Sequence, residues 1–164
     1  MKRTLTLLIL TLLALSACAG TAQEAPAVEQ TRAQGDGYAL TYDATAMSFY
    51  RDGVTEGVDL IVPTQDVVSP AYLMISRLES VQAEQESLLE NGYSDEGEIA
   101  LASGLTAHAY AQPRSGVNYA AYILEQDGRA YSILTVCSQE SPQTEAQLRA
   151  VVDTFAFDDA ALET

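Results

Sequence analysis

The chain offers few groups with which to do chemistry. His108 is its single histidine, so neither a multi-histidine metal centre nor a relay needing two imidazoles can be assembled. Of the two cysteines, Cys18 follows Leu15-Ser16-Ala17, small residues closing an apolar segment, which is the setting of a thiol that becomes acylated. Cys137 ends an apolar run, where a cysteine serves as a small buried hydrophobe. With Cys18 acylated, Cys137 has no intramolecular partner and no disulfide framework forms. Asp95, Glu96 and Glu98 gather three carboxylates in an expected acidic loop over 93–98. Carboxylates are calcium ligands, but the spacing is not that of an EF-hand loop and several more oxygens are required. Carboxylate pairs for acid–base work cannot be singled out where acids are so abundant. No G-x-S-x-G elbow, H-E-x-x-H pair, P-loop or G-x-G-x-x-G stretch occurs, so no catalytic, metal or cofactor signature is found. Tyr110, Tyr119, Tyr122 and Tyr131, with His108, fall on adjacent predicted strands and make the candidate binding patch. They line a pocket or a protein-binding surface, or else are core rings whose hydroxyls reach the edge.

The clearest motif is at the start. Lys2 and Arg3 precede an apolar run over residues 5–15, about the length of a secretory h-region and too short to span a bilayer. Leu15-Ser16-Ala17-Cys18 then reads as a lipobox. Residues 1–17 are expected to be a lipoprotein signal peptide, and Cys18 the lipidated first residue of the mature chain. At about 0.8 kcal/mol per buried methylene, one acyl chain binds only marginally, while two make escape negligible. Ala19 follows, where an aspartate would point to inner-membrane retention. The expected location is the cell envelope, lipid-anchored on the extracytoplasmic side, at the outer membrane or the outer face of the plasma membrane.

Charge narrows the partners. The 164 residues include 23 acids against eight basic residues, a formal net charge of −15. Loss of Lys2 and Arg3 with the signal would leave a still more acidic chain whose basic residues are all arginine. Such a surface repels phosphate backbones and anionic headgroups, which excludes nucleic acid as a partner and favours solubility, cationic partners or divalent ions.

Residues 18–36 are Ala, Gly, Thr, Gln, Glu and Pro with almost no large apolar side chain. They are expected to form a disordered tether. Tyr38, Leu40 and Tyr42 alternate as a first strand, and Met47 and Phe49 repeat the pattern before a turn at Arg51-Asp52-Gly53. Residues 58–62 and 71–78 give two more strands, with a loop over 64–70 between them. Over 80–91 the period changes to helical, with Ser80 as cap and Asn91-Gly92 as stop. Strands over 99–102, 105–112, 117–126 and 129–138 follow. Pro113-Arg114-Ser115-Gly116 and the two-residue turn Asp127-Gly128 join the last three. Pairing Gln126 with Arg129 sets Leu124 opposite Tyr131, Tyr122 opposite Ile133 and Tyr119 opposite Val136, and it leaves His108 beside Ala121. Both faces of these strands come out apolar, so both must be covered, and helices are the available covers. Ser141-Pro142 opens a last helix with Leu148, Val151, Val152 and Phe155 on one side. Phe157 is the last expected core residue, and residues 159–164 are expected to fray.

Gly37-Tyr38-Ala39-Leu40-Thr41-Tyr42, Gly104-Leu105-Thr106-Ala107, Tyr131-Ser132-Ile133-Leu134 and Val152-Asp153-Thr154-Phe155, in this order of elements, resemble the PsbP-like family. That family includes the photosystem II extrinsic subunit, the Mog-type Ran-binding proteins and many bacterial lipoproteins. The resemblance implies an α+β domain over residues 37–158, an antiparallel β-sheet covered by helices on both faces in a PsbP/Mog-like αβα sandwich. It implies protein binding without catalysis and supplies no catalytic residue to carry over. The first strand ends Tyr42-Asp43-Ala44, without the proline often found there.

The expected function is therefore a membrane-anchored extracytoplasmic lipoprotein acting as a protein-binding or scaffolding module, not an enzyme. Its expected partners are membrane lipid, through acylated Cys18, and another protein. A small-ligand carrier or sensor at the cell envelope is the alternative.

Overall fold

The computed structural model describes residues 29–64 and 68–158. Ten strands and two helices follow one another along them. They are β1 (Gln30–Gln34), β2 (Tyr38–Asp43), β3 (Met47–Thr55), β4 (Val58–Pro63), β5 (Ala71–Leu78), α1 (Val81–Glu90), β6 (Ser94–Ala100), β7 (Thr106–Arg114), β8 (Val117–Gln126), β9 (Arg129–Ser138), α2 (Pro142–Val152) and β10 (Ala156–Phe157). A seven-stranded antiparallel sheet runs β3-β4-β5-β9-β8-β7-β6, and a three-stranded sheet runs β1-β2-β10.

Turn chemistry fixes the central register. Asp127 and Gly128 both take positive φ (52° and 75°), the conformation a two-residue hairpin demands. Gln126 accordingly pairs with Arg129, Leu124 with Tyr131, Tyr122 with Ile133 and Tyr119 with Val136, as expected. Ser115 and Gly116 (φ 54° and 78°) make a second two-residue turn, with Arg114 opposite Val117. A four-residue connection was expected there, so β7 runs two residues further and His108 sits opposite Ile123 instead of Ala121. A slip of two keeps every side chain on its face.

The two faces are covered unequally, which overturns the expected sheet between helices. The molecule is mainly β. One face is largely covered by α2 together with the three-stranded sheet: Leu148, Val151 and Val152 of α2, Leu40 of β2 and Phe155 join Ile61, Leu73, Tyr122, Leu124, Tyr131 and Ile133 in one core, and a cavity of about 410 Å³ remains between Ala111, Ala120, Cys137 and Leu148. On the other face α1 buries one residue, Leu88, against Tyr110, Ala121 and Ile123. Apolar residues on both faces do require cover, but strands supply part of it and α1 reaches only one end.

Both helices begin where the sequence indicates and α1 also ends there, whereas α2 stops at Val152, short of Phe155. Ser80 Oγ accepts the Ala83 N–H (3.2 Å), and Gly92 (φ 87°) follows the C-cap Asn91. Ser141 precedes Pro142, although its hydroxyl makes no capping bond. Phe155 lies beyond the helix and is still fully buried. Thr154 ties the end of α2 to β2, its Oγ1 accepting the Thr41 N–H at 2.8 Å.

Three further expectations change. Residues 30–34, assigned to the tether, form β1, which pairs along β2 with only Ala33 buried. An edge strand needs backbone pairing more than apolar content. The tether expectation for 18–28, the signal at 1–17 and the frayed tail at 159–164 lie outside the described residues. The turn expected at Arg51-Asp52-Gly53 is an irregular part of β3, and the chain reverses at Glu56-Gly57. Side chains replace the ladder there: Asp59 Oδ1 accepts the Asp52 N–H (2.9 Å), and Asp52 Oδ1 accepts the Gly57 N–H (2.7 Å). The acidic stretch 93–98 is mostly edge strand β6, whose register shifts between Asp95 and Gly97. Charges and bulges are how a sheet edge is blunted.

Candidate functional site

Strand parity divides the five patch residues. His108, Tyr110 and Tyr119 face α1, whereas Tyr122 and Tyr131 face α2 and the three-stranded sheet. Tyr131 is 1% exposed, 5.4 Å from the Tyr38 ring and 5.5 Å from Phe155. Tyr122 lies under the Arg149 guanidinium, 4.9 Å from its ring centroid. Both are core. Tyr110 is buried as well, and the His108 ring stacks on it at 5.0 Å. His108 Nε2 meets Asp95 Oδ1 at 2.7 Å. The Gly97 N–H, with His108, holds the Asp95 carboxyl below the usual carboxylate range. Asp95 is thus engaged locally, and among the described residues no group of three His, Cys, Asp or Glu is placed to hold a metal ion. Cys137 is buried at 2% exposure, and burial pushes its thiol up.

Of the five, Tyr119 opens onto the cleft beside α1. Past the end of α1, a cross-strand row runs Tyr72, Val136, Tyr119, Gln112 across β5, β9, β8 and β7. Val136 is buried, but Tyr72 and Tyr119 are half-buried. Beside them a cavity of about 430 Å³ lies between Leu88, Tyr93, Arg114, Val117 and Tyr119. Gln112 Nε2 donates to the Asn91 carbonyl (2.8 Å) and fastens the end of α1 to the cleft wall. Burial first, then the Tyr119 and Tyr72 phenols and Glu84, push the Tyr93 phenol up; burial and Tyr119 do the same to Tyr72. The patch the fold assembles is therefore Tyr72, Tyr93 and Tyr119. Tyr72 was legible from its parity on strand 71–78. Tyr93 depends on where α1 ends in space.

Sequence reasoning missed a second cavity. About 260 Å³ in volume, it lies between the β1–β2 connection and the β3–β4 hairpin. Asp59 forms its inner wall at 7% exposure. The Tyr38 hydroxyl donates to Asp59 Oδ2 at 2.5 Å. Burial, then this bond and the Asp59 charge, drive the Tyr38 phenol far above its ordinary value. Tyr131 donates to the Asp36 carbonyl, and Arg77 Nη1 lies 3.5 Å from Asp36 Oδ2 at the rim. The available signal was an acid with inward parity: Asp59 shares its face with Ile61 on β4.

No family model and no curated protein matches the chain. Among solved structures it resembles a Bacteroides thetaiotaomicron protein (TM-score 0.53, 13% identity), covering 78% of this chain. The likeness spans about half of that protein, 48% of its length. It also resembles cyanobacterial PsbP from Synechocystis sp. PCC 6803 (TM-score 0.52, 12% identity), over 80% of this chain and 94% of the other. The fold is thus PsbP-like; at these identities the likeness concerns fold alone.

Proposed function

We propose that the protein is a non-catalytic lipoprotein, held through acylated Cys18 at the extracytoplasmic side of the cell envelope, whose domain binds another protein through the tyrosine cleft. The observation that carries this reading is the unequal cover of the sheet. Four buried residues of α2 and the three-stranded sheet cover most of one face, while the other, with only Leu88 of α1 buried on it, carries Tyr72 and Tyr119 half-buried beside an open cleft at the end of α1. Tyrosine suits such a surface because it joins a large apolar body to a polar tip. The strong excess of acids over basic residues favours a partner with a cationic rim. Among the described residues no helix is long and apolar enough to cross a membrane; the proposed attachment rests on the motif Leu15-Ser16-Ala17-Cys18.

Two experiments test the two halves. Cys18→Ser is expected to move the protein from the membrane fraction to the soluble fraction or to block its processing; unchanged membrane partition refutes the anchor. A photo-crosslinking residue at position 119 is expected to give one discrete adduct in intact cells, lost on Tyr72→Ala. The same adduct from position 54, an exposed β3 site, refutes the cleft as the interface.

A second reading, a small-ligand carrier or sensor, draws support from the 260 Å³ cavity around Asp59.

A further inference from the structure

The Asp59 cavity is built around an unusual electrostatic situation. Asp59 is 7% exposed, and its two oxygens receive a phenol and one backbone N–H. Among the described residues no basic side chain lies within ion-pair distance of it. Buried carboxylates are ordinarily compensated by a cation. Here Asp59 lines the cavity instead. The second feature is Arg51, which lines the same cavity, exerts its charge on the Tyr38 hydroxyl and has no hydrogen bond or ion pair among the described residues. Arg77, the other guanidinium, is already paired with Asp36.

Each charge opposes a guest of its own sign. A bare cation attracted by Asp59 meets Arg51, and a bare anion attracted by Arg51 meets Asp59, with Asp52 and Glu56 also lining the space. A guest carrying both charges satisfies both walls. Size sets a further limit: 260 Å³ is below the range of about 300–1,000 Å³ typical of drug-sized ligands. We infer that this cavity binds a small zwitterion of the α-amino-acid type, its ammonium toward Asp59 and its carboxylate on Arg51, whose planar fork matches a carboxylate. The assignment rests on the carrier reading and names its ligand class.

The test is calorimetric titration of the full chain in detergent with L-alanine and L-glutamine, and with ethylamine, acetate and calcium chloride as single-charge probes. Saturable binding of an amino acid, with the three single-charge probes at least tenfold weaker, is expected. Arg51→Gln, at an exposed position, is expected to keep the fold and weaken binding at least tenfold, and Asp59→Asn to abolish it. Should Asp59→Asn not fold, Arg51→Gln decides alone. If ethylamine, acetate or calcium binds as well as the amino acids, the zwitterion assignment falls and the carrier reading stands. If no probe binds, both fall. Amino-acid binding unaffected by Arg51→Gln places the site elsewhere and also overturns the inference.

Discussion

At the scale of single residues, the buried hydrogen bonds make the sharpest commitments. Tyr38→Phe removes the phenol that donates to Asp59 Oδ2 and leaves a buried oxygen without that partner. A loss of about 1–3 kcal/mol is expected, read by denaturant unfolding. Asp95 provides a pH test. Its folded pKa is lowered, so its contribution to stability is present above the ordinary value of 3.8 and is lost as pH falls through the lowered folded value. The stability difference between the native chain and Asp95→Asn is therefore expected to be present near neutrality and to vanish once pH has fallen through the lowered folded value. A difference that persists unchanged below that value contradicts the Gly97 and His108 contacts. The Cys137 thiol, buried and pushed up, is expected to resist a thiol reagent until the chain is unfolded.

At the scale of elements, the two helix starts differ although both carry serine. Ser80 caps through its side chain and Ser141 does not. Ser80→Ala is expected to cost about 0.5–2 kcal/mol and Ser141→Ala near zero, measured by thermal unfolding. Leu148→Ala, in the core beneath α2, is expected to cost about 2–5 kcal/mol. Much of this level was legible in the sequence. Asp127-Gly128 set the β8–β9 register because a two-residue turn admits few conformations. The Ser115-Gly116 turn was read as four residues long, yet the alternation of faces survived, since a slip of two preserves parity. Parity applied to the tyrosines would have parted Tyr122 and Tyr131 from Tyr119. The strand β1 was not legible, because its stability comes from pairing with a partner that composition does not reveal.

At the scale of the whole molecule, the decisive property is which face of the large sheet is left open. Apolar residues on both faces say that both need cover, but they do not say what covers them. Here α2, β1, β2 and β10 cover most of one face, and α1, with a single buried residue, stops short on the other. The Asp59 recess has the same origin, since Tyr38 and Asp59 come from two different sheets. The account stands or falls on the tyrosines of the open face. Tyrosine iodination followed by mass spectrometry, in intact cells and on the purified chain, reads their accessibility directly. Tyr72, Tyr93 and Tyr119 are expected to be protected in cells relative to the purified chain, while Tyr50, half-exposed on edge strand β3, is labelled equally in both. Equal labelling of all four in both settings would contradict a partner on this face.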